Sequence, residues 1–239
     1  MAASVPPAAE EIFGLFLADQ PRRVLAAARE QLSLTSAADV PDLSGADRDV
    51  ILAWVKLLHA TGCANSDLGD RLAGRALLVK GYELADAAEL TYSASTLVYE
   101  VALVDFQLGQ FSNAYDECRQ AIRLRIAAAE DPLRPMILLG GVLAALGYYE
   151  EAKAARMWAL DCAVAVGDVA EWCNALEQGS HIGMFAADHP LVVRSLVLAR
   201  RNQRIAGLRA AAARTAALLD QVAEIPAVAA DPVLALRAE

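Results

Sequence analysis

The feature that most constrains the fold of this chain is an internal repeat with a period of 38 residues. A Leu-Gly pair closes an apolar segment at positions 108–109 and again at 146–147. In both copies an aromatic residue lies two positions after the glycine, and alanines lie five and twelve positions after it. These residues are Phe111, Ala114 and Ala121 in the first copy and Tyr149, Ala152 and Ala159 in the second. Such a period is typical of solenoids, in which each helix pair buries its apolar side only against neighbouring pairs.

Composition supports helices in this repeat and throughout the chain. Of 239 residues, 52 are alanine and 34 are leucine, whereas only 14 are aromatic. Alanine and leucine are strong helix formers, and the β-branched and aromatic residues that favour strands are comparatively scarce. We therefore expect an all-α protein. The net charge of −9 argues against nucleic-acid binding.

The spacing of apolar residues and breakers predicts about ten helices. A third helix is expected from Asp47 to about Ala60, with Gly62 ending it. At the other end, Pro190 suits a first helical turn, and one long helix is expected from there to about residue 225. Leucine or another aliphatic residue recurs there every seven residues.

The repeat resembles the tetratricopeptide repeat (TPR) family. Leu139-Gly140, Leu143, Gly147, Tyr149, Ala152 and Ala159 match its pattern well, and Val101-Ala102, Gly109, Phe111, Ala114 and Ala121 match it fairly well. The resemblance implies an α-solenoid of antiparallel helix hairpins, a right-handed superhelix of the kind found in sensory and interaction regions of bacterial signalling proteins. It predicts a repeat domain over 1–189, best defined at 95–132 and 133–170. The long helix at 190–225 would follow as a dimerisation or linker element, and 226–239 as a flexible tail.

In this family the concave face is formed mainly by the first helix of each repeat. Carried onto this chain, the resemblance implies a partner-binding groove at Thr96, Tyr99, Leu103, Phe106, Gln107, Arg134 and Ile137. Tyr99 and Phe106 are either aromatic anchors for a partner or core residues between repeats, and Arg134 is a candidate clamp for a carboxylate. The expected function is a non-catalytic protein-interaction or signal-input module that binds a protein or peptide.

The long C-terminal helix is the candidate for a homodimer contact. Leu191, Leu198, Ile205 and Leu219 keep the seven-residue spacing, and Leu208 adds a second position. A single good heptad position with a weak partner is limited support for a coiled coil.

Residues that could carry catalysis or bind a metal are few. His59 and Cys63 are four apart, a spacing that can place two metal ligands on one helix face. No second pair accompanies them in the sequence, so a structural role is favoured and no metal or cofactor is expected. His181 and His189 lie near Asp188, where a solvated helix cap is the favoured interpretation. The chain is therefore predicted not to be an enzyme.

The location of the protein in the cell is predicted from patterns that the sequence lacks. The longest apolar run, 136–149, is shorter than the roughly 20 residues of a membrane-spanning helix. The first residues lack the pattern of a signal peptide, and the four cysteines form no C-x-x-C pair. These features predict a cytoplasmic protein without membrane insertion.

A second resemblance concerns the end of the chain. Residues 230–237, Ala-Asp-Pro-Val-Leu-Ala-Leu-Arg, are similar to the D-P-L-T-G-L run that opens bacterial diguanylate cyclase domains, although the Thr and Gly are replaced. An alternative function is therefore a sensor domain whose apolar groove binds a small apolar ligand and which controls a cyclase-type output domain of the kind this similarity implies.

Overall fold

The computed structural model describes residue 6 and residues 8–225, and within them the chain forms eleven α-helices and one short 3-10 turn at Ala37–Asp39. The helices are α1 (Ala9–Leu17), α2 (Pro21–Leu32), α3 (Arg48–Asp67), α4 (Arg71–Ala87), α5 (Thr91–Gln107), α6 (Phe111–Ala127), α7 (Leu133–Ala145), α8 (Tyr149–Val166), α9 (Val169–Phe185), α10 (His189–Ile205) and α11 (Arg209–Ala223). Residues 226–239, including the sequence similar to cyclase domains and the predicted tail, lie outside the described residues.

The chain divides into two compact units, Met1–Asp131 and Pro132–Glu239. In the first unit α3 packs on α4 and α5 on α6; in the second α7 packs on α8 and α9 on α10. Each of these pairs is joined by only three residues. A left-handed backbone at the middle residue closes the turn, and glycine supplies it at Gly69, Gly109 and Gly147.

Small residues allow the two helices of a hairpin to approach closely. Seven positions before each turn glycine, the first helix has Gly62, Ala102 or Gly140; five positions after it, the second helix has Gly74, Ala114 or Ala152. All six residues are buried. A methyl group built on Gly74 would lie 2.6 Å from the carbonyl oxygen of Gly62, so backbone meets backbone at this crossing. The repeat seen in the sequence is therefore a repeat of helix-crossing geometry.

Aliphatic side chains fill the rest of each unit. In the first unit Ile12 of α1 and Val24 of α2 join Leu57, Leu58 and Leu77 in one fully buried cluster. In the second unit Val192, Val193 and Leu196 of α10 pack with Leu219 of α11. The predicted all-α architecture of helix hairpins is thus present in both units.

Two predicted helix ends are wrong. Helix α3 continues through Gly62 to Asp67, because the glycine lies at the buried crossing with α4 and needs no left-handed backbone there. The single long helix predicted over 190–225 is two helices, since Gly207 adopts φ +74° and ends α10 before α11 begins at Arg209. None of the helices in the described part of the chain is long and apolar enough to cross a membrane.

Candidate partner-binding face

Five of the predicted groove residues lie on α5, on the side of the helix that its neighbours leave partly uncovered. Thr96, Tyr99, Leu103 and Phe106 are partly buried, and Gln107 is exposed. Their spacing of three or four residues places them along one face. The opposite side of α5 is buried and includes Leu97, Val98, Val101, Ala102 and Val104. We call the five residues the α5 face.

The beginning of the α5 face is polar. The hydroxyl of Thr96 donates to the carbonyl oxygen of Tyr92 at 3.1 Å and accepts from Nη2 of Arg125 at 3.3 Å. The guanidinium of Arg125 also lies over the Tyr92 ring, 4.9 Å from its centroid. This arrangement places a cation from α6 beside the first turn of the face.

The C-terminal end of the α5 face carries an aromatic side chain and an amide side chain. The Phe106 ring packs on Phe111 with centroids 5.6 Å apart, a contact within one hairpin. The side-chain oxygen of Gln107 accepts from Nε of Arg71 at 3.0 Å. Phe106 is thus partly committed to its own hairpin, although some of its surface is still accessible.

Arg134 and Ile137, the other predicted groove residues, lie on α7 in the second unit. Nε of Arg134 donates to Oε1 of Glu171 on α9 at 2.6 Å, while 65% of the Arg134 side chain is exposed. An incoming carboxylate would have to compete with Glu171 for this guanidinium. Ile137 packs against a buried cluster that includes Leu133 and Ala159, so it contributes more to the core than to a surface.

A buried ionic cluster that the sequence did not reveal holds α5 in place. Arg75 of α4 donates to the fully buried Asp105 of α5 through Nε at 2.5 Å and Nη2 at 2.8 Å. The same guanidinium reaches Glu117 of α6 at 3.3 Å. Burial, together with the Asp105 carboxylate, raises the pKa of Glu117 to about 8. The bidentate contact with Arg75 compensates for the burial of the Asp105 carboxyl group, and the cluster fixes the orientation of α5 between its two neighbours.

The residues predicted to form a dimerisation stripe are divided between α10, which carries Leu191, Leu198 and Ile205, and the segment after it, which carries Leu208 and Leu219. Leu219 is buried in the core of the second unit, and Leu191 packs partly against Ala144, Ala152 and Ile182. Leu198 is 44% and Ile205 75% exposed, and Leu208 lies in the turn after α10. The prediction of one continuous stripe along a single helix is wrong, because the turn at Gly207 changes the direction of the chain. A homodimer through the exposed Leu198 and Ile205 stays a prediction.

The histidines have different surroundings. His59 lies in the middle of α3, and its ring makes a tilted contact with Phe16 of α1, with centroids 5.0 Å apart. His181 is exposed on α9, and His189 is the first residue of α10, where Asp188 caps the helix by accepting from the backbone N–H of Leu191 at 3.1 Å.

The second unit contains a cavity of about 360 Å³ beside α8 and α10. Its lining is Lys153, Arg156, Met157, Asp188, Leu191 and Arg194. Nε of Arg156 donates to the carbonyl oxygen of Ala175 at 3.0 Å. Three basic side chains against one acid make the cavity wall positively charged.

Comparison with known proteins identifies the fold. No family model and no curated protein matches the sequence. Among solved structures, a variant of a putative kinesin light chain from Podosopora anserina with nearly identical TPR-like repeats is 13% identical, with a TM-score of 0.58 over 83% of this chain and 94% of that one. A second structure of that putative kinesin light chain has a TM-score of 0.55 at 13% identity, over 82% and 92% of the two chains.

A Rap protein complexed with Competence and Sporulation Factor is also similar, at 11% identity. Its TM-score is 0.56, and the match covers 98% of this chain and 77% of that one. At these identities the likeness concerns the fold alone. The chain thus has a TPR-like helical-repeat fold, as the sequence predicted.

Proposed function

We propose that this chain is a non-catalytic helical-repeat module that binds a protein or peptide partner through the α5 face and so serves as an interaction or signal-input element. The observation that carries the proposal is the α5 face itself. It combines partly buried apolar and aromatic side chains with hydrogen-bonding groups on a helix that the Arg75–Asp105 pair holds in place. Apolar anchors with a polar rim are typical of protein recognition sites.

The comparisons support this class of function without identifying a partner. One structure with the same fold, the Rap protein, is a complex with Competence and Sporulation Factor. Two groups of the first unit that could suggest catalysis have structural surroundings: Asp105 is paired with Arg75, and burial raises the pKa of the Cys118 thiol, which makes it a weak nucleophile.

Selection from a displayed peptide library on the immobilised full chain tests the proposal. Affinities of the selected peptides would then be measured by fluorescence polarisation for Leu103→Glu, Tyr99→Ala, Phe106→Ala and Arg134→Ala. Leu103→Glu buries a charge in the contact, so we expect at least tenfold weaker binding, about 1.4 kcal/mol. Arg134→Ala should have the smallest effect, because Glu171 already occupies that guanidinium.

Leu72→Glu is the matched control, since Leu72 is 67% exposed on α4 and lies outside the α5 face. It should leave affinity unchanged. Selected peptides that bind Leu103→Glu and Tyr99→Ala as tightly as the wild type would contradict the proposal, provided that the variants retain the helical circular dichroism of the parent chain.

The alternative of a sensor domain for a small apolar ligand has weaker support. The cavity in the second unit has Met157 and Leu191 in its wall, but three basic side chains accompany them. Such a wall favours an anionic ligand over a neutral apolar one. Control of a diguanylate cyclase-type output rests on residues outside those described.

A further inference from the structure

Three potential metal ligands from two helices converge in the first unit. His59 and Cys63 are one turn apart on α3, and Glu100 comes from α5. One donor atom from each residue can be chosen so that all three lie within 4.8 Å of one another. The sequence showed only the first two, because Glu100 lies 37 positions after Cys63 and is brought to it by helix packing.

The surroundings of the His59 imidazole suit a metal ligand. Its Nε2 is buried without a hydrogen-bond partner among the described residues. An imidazole nitrogen is a common metal ligand. A buried polar atom without a partner is destabilising, and a bond to a cation would offset that cost.

Neighbouring groups hold the imidazole and supply negative charge. Phe16 makes a tilted contact with the ring at 5.0 Å between centroids, and Phe13 lies at 6.5 Å. Burial and the carboxylates of Glu100 and Asp67 raise the pKa of Cys63, so the thiol keeps its proton while no cation is bound. The same two carboxylates would attract a divalent cation and stabilise it after binding.

We propose that His59, Cys63 and Glu100 form a binding site for a divalent cation of the zinc class. An imidazole, a thiolate and a carboxylate suit Zn²⁺, whereas Mg²⁺ and Ca²⁺ select oxygen ligands. Binding replaces the S–H bond of Cys63 by an S–metal bond and releases one proton to solvent. Ligand atoms around tetrahedral zinc are about 3.3–3.8 Å apart, so the three side chains close slightly on the ion and leave the fourth position to water.

Titration of the reduced, chelator-treated full chain with Co²⁺ tests the site, because cobalt bound by a thiolate gives a ligand-to-metal charge-transfer absorption and tetrahedral cobalt gives intense visible bands. We expect saturation at one equivalent and displacement by Zn²⁺, also measured by calorimetry. Cys63→Ser should remove the charge-transfer band, and Glu100→Gln should weaken binding more than tenfold while retaining that band.

Cys162→Ser is the matched control, since Cys162 is a partly buried cysteine in the second unit. It should bind Co²⁺ as the wild type does. Glu100→Gln preserves side-chain shape, so it still tests the site if Cys63→Ser fails to fold. The proposal is overturned if the wild type shows no charge-transfer band, if the band survives in Cys63→Ser, or if Glu100→Gln binds at full affinity. The titration involves no partner, so its outcome is independent of the proposed function.

Discussion

Asp105 shows how one buried residue determines the position of a surface. Its carboxylate is fully buried on α5 and accepts two hydrogen bonds from Arg75. Nη2 of the same guanidinium also contacts Glu117, whose pKa is raised to about 8. Near neutral pH the cluster therefore holds an additional proton, which reduces the repulsion between two carboxyl groups.

The stability of the protein should depend on the ionisation of Glu117. Because its pKa is raised from 4.5 to about 8, the folded state binds more protons than the unfolded state between these values. The free energy of unfolding should therefore fall as pH rises through this window. Glu117→Gln cannot ionise and should flatten that fall, as measured by urea unfolding at several pH values from about 5 to about 9.

Glu130→Gln provides the comparison, because Glu130 is an exposed carboxylate in the connection between α6 and α7. The free energy of unfolding of Glu130→Gln should depend on pH as that of the wild type does. An equally steep profile in Glu117→Gln would show that the cluster does not carry the extra proton.

At the scale of the element, the recurring unit is a helix crossing between small residues. Gly62 and Gly74 occupy in the α3–α4 hairpin the positions that Ala102 and Ala114 occupy in α5–α6. The two glycines allow α3 and α4 to approach closely. A methyl group on Gly74 would also lie 3.0 Å from the backbone nitrogen of Ser66. Backbone atoms cannot move aside as a flexible side chain can.

Gly74→Ala should therefore destabilise the protein by about 1–3 kcal/mol, the usual cost of overpacking. The matched substitution is Gly14→Ala in α1, where an added methyl group meets nothing within 4 Å. That change should stabilise the helix by about 0.5–1 kcal/mol. Chemical denaturation of both variants checks the pair, and a Gly74→Ala protein as stable as the wild type would mean that the hairpin opens without cost.

Sequence patterns defined the repeat register in the two hairpins whose second helix has alanine at the crossing, and left it undefined in α3–α4, where glycine is at that position. Gly69, Gly74 and Gly81 repeat the spacing of Gly109, Ala114 and Ala121, so the α3–α4 hairpin carried the same signal with glycine substituted for alanine. Glycine has opposite effects in two places: Gly62 continues a helix at a buried crossing, whereas Gly207 ends one in a turn. Only packing distinguishes these cases, which is why both helix ends were predicted wrongly.

Some parts of the candidate site could be predicted from residues within one helix, whereas others depend on contacts between helices that are distant in sequence. The positions on α5 followed from the repeat register, because they belong to one helix. Arg134 pairs with Glu171 on a helix that is distant in sequence. In the same way, Glu100 approaches His59 and Cys63 from a distant helix. No spacing rule connects such residues before the hairpins are packed.

At the scale of the whole molecule, two compact units of helix hairpins present different surfaces. The first unit carries the α5 face and the His59, Cys63 and Glu100 cluster. The second carries the basic cavity and exposed hydrophobic side chains such as Met157 and Trp158. The α5 face is therefore one of several surfaces that a partner could contact.

Site-specific photo-crosslinking distinguishes these surfaces most directly. A benzophenone amino acid would replace Tyr99 on the α5 face or, in the matched protein, Tyr148, which is 55% exposed in the turn between α7 and α8. Each protein would be irradiated with a peptide selected from the library, and products identified by mass spectrometry. We predict crosslinking from position 99 and none from position 148. A crosslink from position 148 with none from 99 would contradict binding through the α5 face.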